Sequence, residues 1–233
     1  MKKLIIKYSI EFFVIVFSIS VSFFVENIRE GIEKDKKRIL IKTSLLEEIK
    51  GFEEALEGRI YAFEGDYNAL LYVLDDNRDI DSVFNNLSSA GLSNPFLLFR
   101  SFEPPKTVYN SLVNDGDINL IKSRRIKSLL QLIYIDTPEL INDWRADDKR
   151  IAELIDMHLI DNHPQFYLKD IRTKTDKNIV KEFLAIVNTD KKLLALIKAK
   201  QPIMYRKYQI LKQIYVKSRD SLINELEKEL KDN

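Results

Sequence analysis

Apolar residues follow two patterns along this chain. Near the start they form an unbroken block; from about residue 41 they recur every three or four positions. Phe12 to Val25 holds no charged residue, and the wider segment Leu4–Val25 reads LIIKYSIEFFVIVFSISVSFFV, interrupted only by Lys7 and Glu11. At about 1.5 Å per residue such a helix spans roughly 33 Å, enough to cross a bilayer core. The apolar run is hydrophobic on all sides, which argues against a one-faced core helix of a soluble protein. A cleaved signal peptide needs small residues after the run, whereas Phe23, Phe24 and Val25 occupy those positions. An uncleaved transmembrane anchor is therefore expected. One face of it carries Lys7, Glu11, Ile15, Ser18 and Ser22, continued by Arg29. Small hydroxyl residues and a carboxyl within hydrocarbon suit contact with another helix, so this stripe is a candidate transmembrane interface. The competing reading has Glu11 near the headgroups, paired with Lys7 one turn away.

Beyond the anchor, Ile41, Leu45, Ile49, Phe52, Leu56, Ile60, Phe63, Tyr67, Leu70 and Leu74 form one helix-packing stripe with near eleven-residue periodicity. They predict one long helix from near Glu30 to Asp75, continuous with the anchor. Asp75 to Pro95 reads as loop with a short helix over Asp81–Leu87, and Phe96–Phe99 as a buried connector. Val108, Tyr109, Leu112 and Val113 mark a helix face closed by Gly116, where a left-handed cap is wanted, and Ser123 is placed to cap a helix over Arg124–Tyr134. Pro138 opens a helix reaching about Asn162, with Leu140, Ile141, Trp144, Ile151, Leu154, Ile155 and Leu159 on its apolar side. Gln165–Lys177 is polar and irregular, a helix follows over Asn178–Val187, and the last runs from Asp190 to near Lys231 with a kink at Pro202. Its stripe, Met204, Tyr208, Leu211, Tyr215, Leu222 and Leu226, suits antiparallel packing on the first long helix. The expected fold is all-α: an N-terminal transmembrane helix (residues 1–29) followed by an elongated helical bundle (residues 30–233) with two long antiparallel helices.

Composition narrows the chemistry. Six Gly and six Pro in 233 residues are too few for a turn-rich β fold. With no cysteine, disulfides, thiolate metal sites and cysteine nucleophiles are excluded. A formal charge of +1 gives no basic face for nucleic acid, so no nucleic-acid partner is expected. His158 and His163 are the two histidines, and with Asp161 they form a candidate metal set. Their spacing of five places them on different faces of a helix, unlike the four-residue spacing of zinc helices, so no metal ligand is assigned. Asp147–Asp148 and Asp75–Asp76 read as carboxylates on solvated faces. No phosphate loop or serine-elbow sequence is found, so neither catalytic residue nor cofactor is expected and the chain is read as a non-enzyme.

Two regions, Glu11 with Glu26-Asn27-Ile28-Arg29-Glu30, and Tyr109, Leu112, Gly116, Leu120 and Ile121, resemble a family of uncharacterised bacterial single-pass membrane proteins with a glutamate-bearing span and a helical soluble domain. The likeness covers about a third of the chain. The span lacks that family's glycines and its exit tryptophan. The resemblance implies a membrane-anchored helical domain and supplies no activity. The expected location is the bacterial plasma (inner) membrane, crossed once. Lys2, Lys3 and Lys7 favour a cytoplasmic tail and an extracytoplasmic domain, although Arg29, Lys34, Lys36, Lys37 and Arg38 weigh the other way. Membrane lipid and either copies of itself or another membrane protein are the expected partners. Function is expected to be interaction or scaffolding, with a small-molecule-binding, sensor-like bundle as the alternative.

Overall fold

The structure, a computed structural model, describes residues 2–88, 94–168 and 176–231, with side chains from Phe12 onward except those of Asn86, Ser88 and Asn94. Among the described residues there is no strand. Helix α1 runs from Lys2 to Gly51 without interruption, joining the apolar segment to the periodic one. Its apolar part is long and hydrophobic enough to cross a membrane, and none of it is covered by the rest of the chain. Among the described side chains the first buried one is Ile41. Helix α2 (Glu53–Leu74) follows after one residue, Phe52, whose carbonyl still accepts from the Leu56 amide at 2.9 Å. The long helix expected over Glu30–Asp75 is thus present with a single irregularity. Phe52 lies beside Gly51, where helix propensity is about 1 kcal/mol lower than for alanine. All ten stripe residues from Ile41 to Leu74 are buried or half-buried.

The other elements are α3 (Ile80–Ser88), α4 (Asn94–Leu97), α5 (Thr107–Asn114), α6 (Arg124–Gln131), α7 (Thr137–Asn162), α8 (Gln165–Leu168), α9 (Lys177–Thr189), α10 (Lys191–Gln209) and α11 (Val216–Lys231). A 3₁₀ turn covers Asp117–Leu120. Two π-helical segments, Leu132–Asp136 and Ile210–Tyr215, join α6 to α7 and α10 to α11. The first precedes Pro138, which has no N–H and whose ring crowds the carbonyl four residues back; a wider turn there absorbs both effects. The helix containing Pro202 continues through it, and the departure from α geometry comes at Ile210–Tyr215 instead.

The C-terminal helices pack back along the N-terminal ones, α10 on α2 and α11 on α1. Side-chain links fix the antiparallel sense. Tyr208 donates to Glu64 at 2.7 Å, Arg219 meets Glu53 at 2.5 Å, and Lys42 meets Glu229 at 2.9 Å. The far end of α11 (Val216–Lys231) therefore lies beside the point where α1 enters the domain. Helix α7 packs on α10, completing the bundle's long wall.

Two apolar cores lie along the bundle. The one nearer the apolar end of α1 gathers Ile41, Leu45, Leu56 and Phe63 with Ile126, Leu130, Leu211 and Leu222. The farther one gathers Leu70, Val73, Phe96, Phe166, Phe183, Leu193 and Met204. Each such side chain contributes about 1.5–3 kcal/mol on full burial. Local signals set the smaller elements. Gly116 adopts φ 73°, the left-handed cap that closes α5. Ser123 Oγ accepts from the Ile126 amide at 3.2 Å to start α6. The amide of Val108, in the first turn of α5, donates to Glu48 of α1 at 2.7 Å, a cap supplied from a distant part of the sequence.

Candidate functional site

Three places in the molecule hold more chemistry than packing requires. The first is the outer part of α1. Every side chain from Phe12 to Lys37 is exposed. Ile15, Ser18 and Ser22, from the candidate interface, share one bare face; the side chains of Lys7 and Glu11 lie outside the described residues. Ser18 and Ser22 donate back to the carbonyls of Val14 and Ser18, at 2.8 and 2.9 Å. Their hydroxyl protons are thus used within the helix. What they present to a neighbour is small size and an acceptor oxygen. Between the apolar block and the domain, residues 26–40 form a helical stalk. Arg29–Glu33 and Lys34–Glu30 pair one turn apart, and Arg38 pairs with Asp35. Such pairs suit a helix surrounded by water. Ile28, Ile32, Ile39 and Leu40 are nevertheless exposed on it.

The second place is a layer of charge between the two cores. Asp148 of α7 is 0% exposed, Lys200 of α10 0% and Lys207 of α10 1%. One carboxylate oxygen of Asp148 receives Lys200, and the other receives Lys207 at 2.7 Å. Lys200 also donates to the Leu98 carbonyl at 3.1 Å, and Lys207 lies 5.2 Å from the Phe63 ring centroid. Next to them Asp66 of α2 takes a two-pronged hydrogen bond from Arg100, at 2.6 and 3.2 Å. Three cationic side chains thus face two carboxyls. Burial pushes both lysines below their ordinary range, with the neighbouring carboxyls pulling the other way. Burial likewise raises Asp66, opposed by the Arg100 guanidinium. The Asp147–Asp148 pair is therefore split: Asp147 is on the surface, while Asp148 is the most enclosed acid of the layer. The expectation that both are solvated is corrected for Asp148. Its position carries a signal: Ile141, Trp144, Asp148, Ile151 and Ile155 step by three or four, so Asp148 lies in register with the apolar face. Leu193, Ile197, Lys200, Met204 and Lys207 do the same on α10.

The third place is at the end of the bundle remote from the apolar segment. His158 lies in the last turns of α7, and His163 is the residue after its end, with φ −138° and ψ 50°. Asp190 precedes α10 and caps it, its Oδ1 accepting from the amides of Lys192 and Leu193, both at 3.0 Å. Its Oδ2 meets Nε2 of His158 at 2.6 Å and Nε2 of His163 at 3.0 Å. On its other side the His158 ring meets Asn162, whose amide nitrogen lies 3.2 Å from His158 Nδ1 and 3.0 Å from the His158 carbonyl. Burial tends to raise Asp190, but hydrogen bonds from His163, the Leu193 amide and His158 outweigh it and hold the carboxyl well below the usual range. The two imidazoles are thus brought together. The spacing rule that separates them assumes an unbroken helix, whereas α7 ends between them. Asp190, 27 residues beyond His163, stands where Asp161 was the candidate; Asp161 is exposed.

Compared with known proteins, the chain matches no family model, no curated protein and no solved structure.

Proposed function

We propose that this protein is a membrane-anchored helical interaction protein, working as an oligomer or as a subunit of a membrane complex. The observation that carries the reading is the exposure of α1 from Phe12 to Lys36, with none of the described chain covering its apolar part. Lipid can cover Phe12–Val25. It cannot cover Ile28, Ile32 and Ile39 on the stalk, which are shared with water unless another protein lies beside them. The stripe of Ile15, Ser18 and Ser22 gives a neighbouring helix a close approach inside the bilayer, and Lys7 and Glu11 extend it towards the start of the span. Expected partners are lipid and either further copies of this chain or another membrane protein. The resemblance to bacterial single-pass proteins supports a membrane-anchored helical domain, and the cationic tail of Lys2, Lys3 and Lys7 favours placing that domain outside the cytoplasm.

The test is the mass of the detergent-solubilised assembly. The native chain is expected to run as a multimer or with a co-purifying membrane partner. Glu11→Gln combined with Ser18→Leu and Ser22→Leu is expected to reduce that assembly without changing the helical circular dichroism. A native protein that is strictly monomeric and alone in detergent overturns the reading. Protease accessibility in sealed vesicles separately tests which side the domain faces.

A further inference from the structure

We propose that His158, His163 and Asp190 bind a divalent transition-metal ion of the zinc class at the end of the bundle remote from the membrane. The proposal goes beyond the anchoring reading and does not depend on it. Two imidazole nitrogens converge on one carboxylate oxygen, and the three donor atoms lie within 4.8 Å of one another. Zinc binds nitrogen at about 2.0–2.1 Å and carboxylate oxygen at about 2.0–2.2 Å, so tetrahedral ligands lie roughly 3.3 Å apart. The two nitrogen–oxygen separations, 2.6 and 3.0 Å, need to widen to that spacing, by about 0.7 and 0.3 Å, to admit an ion.

The surroundings hold the donors in place. Asp190 is anchored through Oδ1 by two helix amides, which leaves Oδ2 as a single-atom ligand. His158 is buried in α7, and His163 is partly exposed at the mouth. Ligation through Nε2 puts each ring's remaining proton on Nδ1. A neutral imidazole therefore shifts its proton between its own nitrogens, and the ion takes the place of the two N–H protons now facing Asp190. At His158 the new N–H points at Asn162, whose amide turns its oxygen to accept it, the outer-shell partner that ligating histidines commonly have. Imidazole and carboxylate donors without thiolates suit Zn²⁺, Co²⁺, Ni²⁺ or Cu²⁺ rather than Ca²⁺ or Mg²⁺. Three protein ligands leave a coordination position for water or for a donor from a partner.

The experiment uses the full chain in detergent, without an affinity tag and stripped with a chelator. It is titrated calorimetrically with ZnCl₂ and followed in visible absorption with Co²⁺. One Zn²⁺ per chain is expected, with Co²⁺ d–d bands and a rise in Tm at saturating Zn²⁺. Asp190→Asn keeps a capping side chain, so α10 still starts where it does. It and His163→Gln are each expected to weaken Zn²⁺ binding by about tenfold or more and to reduce the Tm rise at the same Zn²⁺ concentration. Absence of stoichiometric Zn²⁺ binding to the native chain overturns the proposal. So does binding to both variants as tight as to the native chain, or a preference for Ca²⁺ or Mg²⁺ over Zn²⁺.

Discussion

Asp148 is the residue on which the middle of the bundle depends. It is the shared partner of two buried ammonium groups, so removing it strands both. Breaking a buried pair from one side costs about 3–5 kcal/mol, far more than the loss of an exposed pair. Asp148→Ala is therefore expected to lower the urea-unfolding free energy by about that amount. Arg150→Ala, which removes a surface pair with Asp147, is expected to change it by less than about 1 kcal/mol. Neither the layer nor the histidine pair was fully legible in the sequence. Charged residues are ordinarily assigned to water, so an acid in register with an apolar stripe reads as the edge of that stripe. Register alone does not reveal that Lys200 and Lys207 stand opposite; that needs α7 and α10 to be paired. The histidines escaped for a different reason. Helical spacing governs side-chain direction only while the helix lasts, and Asp190 reaches them through a loop and a separate helix, a relation that local spacing does not encode.

At the scale of elements, periodicity served well because the helices are long and one-faced. The Ile41–Leu74 stripe, the Ser123 cap and the Gly116 turn all stand where apolar spacing and capping chemistry put them. The π segments did not show, since one extra residue in a turn shifts a three-or-four pattern by less than its own scatter. Two caps can be checked directly. Asp176 starts α9 by accepting from the amides of Asn178 and Ile179, at 2.8 and 2.9 Å. Asp176→Ala is expected to cost about 1 kcal/mol in thermal or urea unfolding, and Asp176→Asn much less. Gly116→Ala meets no neighbouring atom, so its whole cost is the left-handed backbone, about 1–2 kcal/mol by the same measurement.

The whole molecule divides by burial. Among the described side chains all from Phe12 to Lys37 are exposed, and the outermost link from α1 to the domain is Lys37 to Asp117 at 2.7 Å. Removing residues 1–30 is accordingly expected to leave a domain that is soluble without detergent and unfolds at the same urea concentration as the full chain. A large fall in that midpoint, or a product that stays insoluble, contradicts this division. The same arrangement makes α1 a lever. One helix carries the apolar segment, the stalk and the first wall of the bundle, so were Phe12–Val25 to lie in a bilayer, the first break in the helix would come only at Phe52. From Val25 to Gly51 the arm is roughly 40 Å long. Tilting it by about 20° to suit a thinner membrane sweeps its far end sideways by roughly 13 Å. Bilayer thickness would then decide where the domain can reach.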